Sequence, residues 1–344
     1  MNITICGGGN LGHVCSGFLA SQAENRVSLL TTKPELWSHK IDVFDCKGNV
    51  FHGRLDRISD KPEEVIFDAE MVLVCLPGFA IANELKAIAP YLKPTCLVGT
   101  IVSSTGFFFE AFKILSNIQP LFGFQRVPFI SRITRYGREA NLKGYKDSLS
   151  IAVEQTDDKE IIRARLEQLF RTPIKLLGSH YEVSLSNSNP LLHTSRLYTL
   201  WHDWKPGMSY EKNPLFYSDW TIEASELYIS MDEEFQCLLM SLGIKKGVIP
   251  SVLKYYNSWD AKSLTRKISS IQAFQGIFSP MFLNREGMYE PDFKSRYFIE
   301  DFPYGLKFIY TLLHLKGIES PNVDRVYEWG ISKINVSNTI HSVL

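Results

Sequence analysis

The opening residues constrain the fold more than any others. Asn2-Ile3-Thr4-Ile5-Cys6 reads as a short apolar strand and runs directly into Gly7-Gly8-Gly9-Asn10-Leu11-Gly12. Leu11, Val14, Phe18 and Leu19 then recur at helical spacing. Glycine triplets also serve plain turns, so the glycines alone decide little. A strand before and a helix after is the context in which G-x-G-x-x-G holds a pyrophosphate. In that context Gly7 takes the tight turn, Gly9 the point where backbone meets phosphate, and Gly12 the close packing of helix on strand. The free N–H groups of Asn10 and Leu11 at the helix start, with the helix dipole behind them, favour an anion. The expected ligand is a dinucleotide.

Strand and helix patterns then alternate. Residues 26–30 read as a strand, residues 41–55 as a hairpin about Lys47-Gly48-Asn49, and Met71 to Cys75 as a short apolar strand. A helix follows from about 79 to 92, and another strand from Cys96 to Thr100. This alternation predicts an α/β Rossmann domain, a doubly wound and mainly parallel sheet with helices on both faces. Residues 119–153 read as short β pieces broken by Gly123, Pro128, Gly137 and Gly144, with a helix at 157–171 and a strand near 174–177 closing the domain. Beyond Gly178 the pattern is helical. Leu227, Met231, Phe235, Leu238 and Leu242 form one apolar stripe, Leu306, Tyr310 and Leu313 another, and Ser320-Pro321 opens a last helix. The expected division is a dinucleotide-binding domain over 1–180 and an all-α domain over 181–344.

Charge and cysteine content narrow the function. Lys plus Arg and Asp plus Glu are equal at 37 each, so no overall field draws the chain to nucleic acid or an anionic membrane. No apolar run reaches the length of a membrane span, and the first residues read as a strand rather than a signal segment. The six cysteines include no C-x-x-C pair and several sit in apolar strands, which is the pattern of reduced thiols in the cytoplasm. No metal-ligand spacing is present. Small-molecule substrates are the expected partners.

In a Rossmann unit that binds NAD, an acidic residue at the end of the second strand holds the ribose 2′-OH. Here Thr31-Thr32-Lys33 stands at that place. A carboxylate repels a 2′-phosphate, whereas Thr32 and Lys33 suit one. NADP is therefore favoured over NAD. The alternatives are that Lys33 is a solvated surface lysine and that Glu35 restores NAD. Pro77, in Leu76-Pro77-Gly78 at the carboxyl end of a strand, is either a cofactor contact or simply a strand-ending turn.

The chemistry is less legible from spacing. His193 follows the helix-start signature Asn189-Pro190, at the opening of the helical domain, yet a single histidine is more often structural than catalytic. Arg296 and Asp301 precede Pro303, after which a helix starts, so both are expected on a loop or turn. Arginine suits bidentate capture of a carboxylate, and aspartate can orient a histidine; a surface salt-bridge cluster explains the same residues. The aromatic stretch 203–221, with Trp204, Tyr210, Phe216, Tyr217 and Trp220, reads either as a lid or as plain packing.

Taken together, these segments resemble the octopine/nopaline dehydrogenase family, the opine dehydrogenases, over nearly the whole chain. The resemblance rests on Gly7–Gly12, on Leu73-Val-Cys75-Leu-Pro77 with the helix ending Ala89-Pro-Tyr-Leu-Lys93-Pro94, and on Asn189-Pro190-Leu-Leu-His193. It rests also on Arg296 with Asp301 ahead of Pro303-Tyr-Gly305-Leu306. The family's keto-acid loop is similar to Val127–Arg132 but differs in residues. The resemblance implies NAD(P)H-dependent reductive condensation of an amino acid with a 2-keto acid, and a homodimer is compatible with it. It implies His193 and Asp301 as the catalytic acid/base and its partner, and Arg296 as the substrate-binding residue. Two other readings stand beside it. Relatives of ketopantoate reductase or glycerol-3-phosphate dehydrogenase would use a lysine in the helical domain, and none stands here in that motif. A non-catalytic NADP-binding sensor would need only the glycine turn.

Overall fold

The computed structural model describes residues 1–340, and contacts divide it into two compact units, Met1–Ser186 and Asn187 onwards. The first unit opens with β1 (Asn2–Cys6), α1 (Asn10–Ala20) and β2 (Arg26–Leu30). An antiparallel pair follows, β3 (Lys40–Asp45) and β4 (Val50–Ser59), then α2 (Pro62–Val65), β5 (Met71–Val74) and α3 (Gly78–Ile88). Next come β6 (Leu97–Ile101), α4 (Phe107–Ile114), β7 (Leu121–Phe124), β8 (Phe129–Arg135), β9 (Glu139–Tyr145) and β10 (Leu149–Glu154). The unit closes with α5 (Lys159–Phe170), β11 (Ile174–Leu176) and α6 (His180–Ser184).

These strands make one sheet of order β11-β10-β7-β6-β5-β1-β2-β4-β3-β9-β8. Its centre is parallel, β6-β5-β1-β2-β4, and β1 pairs with β2 from Asn2↔Arg26 to Cys6↔Leu30. Alternation along the strands feeds both faces, as a sheet covered on two sides requires. Ile3 and Ile5 of β1 with Met71 and Leu73 of β5 pack on one cluster, whereas Cys6, Val72 and Val74 join the other. The unit runs past residue 180 because α6 belongs to it: Val183 is buried in the second cluster, and His180 N–H donates to Glu154 Oε1 at 2.7 Å.

The second unit begins with α7 (Asn189–Trp201) and the long α8 (Ile222–Ser241), followed by α9 (Val252–Tyr255) and α10 (Ala261–Ser270). A short antiparallel pair, β12 (Met281–Leu283) and β13 (Tyr289–Pro291), interrupts the helices. Then come α11 (Arg296–Ile299), a π turn over Phe302–Leu306, α12 (Lys307–Leu315) and α13 (Pro321–Ile340). Leu227, Met231, Phe235 and Leu238 on α8 are buried and form the helix's inner face, whereas Leu242 lies just past its end and is half-buried. No helix among the described residues is long and apolar enough to cross a membrane.

Candidate active site

In the first unit the glycine turn has the geometry a phosphate cradle needs. Gly7 sits at φ +117°, and an added Cβ would come within 2.7 Å of the Cys75 carbonyl oxygen. A Cβ on Gly12 would meet the Gly7 carbonyl oxygen at 1.9 Å, so the helix lies directly on the turn. Around Gly9 nothing lies within 4 Å of that position. Open space at Gly9, between two glycines that are closed by backbone, fits a pyrophosphate approaching the start of α1.

The groove beside this turn has a volume of about 430 Å³, and Gly7, Gly8, Thr31, Thr32, Lys33 and Leu76 line it. Thr31 is buried, while Thr32 and Lys33 are exposed at its edge. Glu35 is not among the lining residues; the carboxylate that reaches the groove from this side is Asp60. It stands there because β4 pairs with β2 and ends beside it, with Thr31 N–H donating to Ser59 O at 3.0 Å. Sequence reading missed Asp60, since only the tertiary pairing of β4 brings it near. Pro77 opens α3 just beyond the groove-lining Leu76. Asn10 is exposed, and Leu11 packs partly buried against the core.

A second feature with no linear signal holds the turn from outside. His13 lies on α1 and is fully buried. Its Nδ1 lies 3.0 Å from Gly9 O and its Nε2 accepts the Gly137 N–H at 2.7 Å. The carbonyl can only accept, so the ring is a neutral Nδ1–H imidazole. Burial lowers its pKa and keeps it in that form. Asn10 Oδ1 adds a bond from Ile133 N–H at 2.8 Å. Together they tie the β8–β9 hairpin to the glycine turn.

In the second unit the structure brings His193 and Asp301 together. Pro190 starts α7 and packs where a Cβ on Gly305 would lie 2.7 Å from its Cγ. This close approach sets the beginning of α7 against the turn that carries Asp301. His193, one turn into the helix, is 8% exposed. Its Nδ1 lies 2.8 Å from Asp301 Oδ2, and its Nε2 lies 2.8 Å from the hydroxyl of Tyr217. A carboxylate accepts, so Nδ1–H donates to it and Nε2 of the neutral ring accepts the Tyr217 O–H. This is the arrangement in which a carboxylate fixes a histidine's tautomer and balances its charge when protonated.

Tyr217 comes from the aromatic stretch in which sequence reading could not choose between lid and packing. Phe216, Tyr217 and Trp220 are buried within the second unit, and Tyr217 stacks on Phe274 at 4.2 Å. The buried Arg196 of α7 holds this stretch through its backbone: Nε donates to Phe216 O at 3.1 Å and Nη2 to Asp219 O at 2.6 Å.

Of the loop or turn expected for Arg296, the structure has a turn, and a helical one: Arg296 opens the single turn of α11, which Ser295 enters in extended backbone. The next helical turn also starts earlier than the position after Pro303, as a π turn from Phe302, with α12 beginning at Lys307. The Arg296 side chain is 81% exposed and pairs with Glu300, Nε to Oε1 at 2.8 Å and Nη2 to Oε2 at 2.9 Å. It contacts neither His193 nor Asp301 by hydrogen bond, although Asp301 is close enough to act on it electrostatically.

Comparison with known proteins agrees with both halves. The family described as NAD/NADP octopine/nopaline dehydrogenase, alpha-helical domain, matches residues 176–334, and ketopantoate reductase PanE/ApbA matches residues 3–106. Tauropine dehydrogenase of Arabella iricolor is 27% identical over 359 residues, covering 95% of this chain and 90% of that protein. The structure of octopine dehydrogenase with NADH and L-arginine superposes with a TM-score of 0.85 at 24% identity, covering 97% of this chain and 89% of that one. The structure with NADH and pyruvate gives a TM-score of 0.80 at 23% identity, covering 96% and 88%. The ketopantoate reductase family model lies within the dinucleotide-binding half, whereas the octopine/nopaline dehydrogenase model spans the helical half that carries His193 and Asp301. The helical half of the chain, residues 176–334, matches the NAD/NADP octopine/nopaline dehydrogenase family, and the chain is a dehydrogenase acting on CH–NH donors.

Proposed function

We propose that this chain condenses the amine of an amino acid with a 2-keto acid and reduces the product with NAD(P)H to an N-(1-carboxyalkyl) amino acid. The observation that carries this reading is His193, buried and held at both ring nitrogens by Asp301 and Tyr217. Condensation consumes a proton acceptor and then a proton donor at one centre. The substrate ammonium must lose a proton before its nitrogen attacks the keto carbon, and the resulting hydroxyl must gain one to leave as water. A histidine serves both steps, with the imidazolium balanced by Asp301. The nicotinamide, when bound, supplies the hydride that reduces the carbon–nitrogen double bond.

Arg296 binds a substrate carboxylate in this reading, which takes the place of Glu300 on its guanidinium. Replacing it by Lys keeps the charge and removes the planar fork, so Arg296→Lys raises the KM of the carboxylate substrate with a smaller effect on kcat. Initial rates over a substrate series check this, and a change confined to cofactor affinity contradicts it.

For the cofactor, Thr32 and Lys33 favour NADP. Asp60 carries the second reading, because a carboxylate in the same groove favours a free ribose 2′-OH over a phosphate. The unpaired state of all six cysteines supports a reducing compartment such as the cytoplasm. One experiment tests reaction and cofactor together: pairs of amino acids and 2-keto acids are screened for nicotinamide oxidation, separately with NADH and NADPH. Oxidation that requires both substrates supports the reading. Saturable binding of either nicotinamide without oxidation by any pair rejects it in favour of a sensor.

A further inference from the structure

In the second unit, the edge of His193 away from Asp301 is closed by Tyr217, whose side chain is buried. Tyr297, half-buried and next to Arg296 on α11, stands close enough to Tyr217 for the two phenols to act on each other. Donor and acceptor capacity fixes the direction of this chain. Asp301 accepts from Nδ1–H, so the neutral Nε2 must accept from Tyr217, whose oxygen is then free to accept from Tyr297. The ring of Tyr297 also stands edge-on to His193, with centroids 4.9 Å apart, and against Phe216 at 4.8 Å. The buried Tyr217 and the half-buried Tyr297 thus both stand against the imidazole.

Resting on the reading of His193 as acid/base, we propose that Tyr217 and Tyr297 form the relay through which His193 exchanges protons with the substrate, with Arg196 as the residue that positions Tyr217. In the uptake direction, a proton from the substrate ammonium passes to the Tyr297 oxygen. The Tyr297 proton passes to Tyr217, and the Tyr217 proton to Nε2, leaving an imidazolium beside Asp301. The reverse transfers return one proton to the departing hydroxyl. Each tyrosine begins and ends neutral, so no charge is left on either. Burial raises the pKa of both phenols, which disfavours a standing tyrosinate and favours concerted transfer. Arg196 is suited to its part because it grips main chain rather than side chain. Its two carbonyl partners bracket Tyr217, so the hydroxyl is placed from the same helix that carries His193.

Three measurements on the full chain with NADH or NADPH and the substrate pair from the screen test the relay. Tyr217→Phe is expected to lower kcat on the order of 100-fold while leaving cofactor affinity unchanged. Mixtures of H2O and D2O are expected to give a curved dependence of kcat on deuterium fraction in the parent enzyme and a straight one in Tyr217→Phe. In protein carrying 15N-labelled histidine, Tyr217→Phe is expected to move the His193 Nε2 signal and leave Nδ1–H in place, whether or not turnover is measured. An unchanged kcat, an unchanged curvature or an unmoved Nε2 signal in Tyr217→Phe overturns the relay. Should that variant fail to fold, Tyr297→Phe carries the test, with the curvature reduced and the His193 signals kept; wild-type curvature there also overturns it. His193→Gln separates the two ideas. If it is active, the acid/base reading fails, and if it is inactive while Tyr217→Phe is normal, the relay alone fails.

Discussion

His193→Ala is expected to bind nicotinamide cofactor as the parent protein does and to lose turnover by roughly 100-fold or more. Two features set that size. The residue sits in the helical unit, whereas the glycine turn, the groove and their supporting bonds are all in the first unit, so the substitution leaves that cradle intact. The loss at the chemical step combines a missing proton carrier with a stranded partner. Asp301 would keep a partly buried negative charge with no imidazole beside it, and Tyr217 would lose its acceptor. His193→Asn retains a polar group in place of the bare methyl and relieves part of that strain without restoring proton transfer. Fluorescence titration with NADH and NADPH measures the first half, and steady-state rates of the condensation measure the second. Unchanged turnover with normal cofactor titration removes His193 from the mechanism. Loss of cofactor binding together with a lowered unfolding temperature would instead make it a packing residue.

The legible parts of this chain are those where a local pattern is also the tertiary determinant. β2 falls on residues 26–30 as read, and the turn at Lys47-Gly48-Asn49 joins β3 to β4, because period-two strands and glycine turns are set by neighbours in sequence. Position in the sequence makes His193 and Asp301 no more than candidates, and only the resemblance gives them roles, since nothing in their spacing announces that Gly305 lets Pro190 pack close enough to join them. Asp60, His13 and Tyr217 were not singled out for a different reason. Asp60 becomes a groove residue through the pairing of β2 with β4, and His13 becomes a clasp through Gly137, far along the chain. Tyr217 is one of five aromatics in a loop with no periodicity, and only its tertiary hydrogen bond to His193 Nε2 distinguishes it from its neighbours. Arg296 shows the opposite limit. Its type suited a carboxylate, yet a nearer carboxylate, Glu300, already occupies it at the i+4 position of a helical turn.

Gly12→Ala should be the most damaging small substitution in the first unit, and the reason lies in what cannot move. The new methyl carbon would stand 1.9 Å from the Gly7 carbonyl oxygen and 3.0 Å from its carbon. Gly7 cannot yield, because its N–H is bonded to Leu30 O at 3.0 Å and the Cys75 carbonyl closes its other side. Nor can α1 retreat freely. Its Gly17 lies so close to the sheet that a Cβ there would reach Val43 Cγ2 at 2.5 Å, and the Gly17 carbonyl oxygen would lie 2.7 Å from a Cβ on Gly53. Backbone therefore meets backbone both at Gly7 and at Gly53, and the cost is about 3 kcal/mol or more. Gly9→Ala is the informative contrast. Gly9 has φ −82° and no atom within 4 Å of an added Cβ, so the protein should fold with its parent stability. The methyl group then occupies the space through which a phosphate reaches the helix start, and cofactor affinity should fall by about tenfold to a hundredfold. Thermal unfolding and nicotinamide titration on the same samples separate the two. Gly12→Ala lowers both quantities and Gly9→Ala lowers affinity alone. A Gly9→Ala protein with parent affinity would mean that the pyrophosphate does not cross this turn, whatever the glycine spacing suggests.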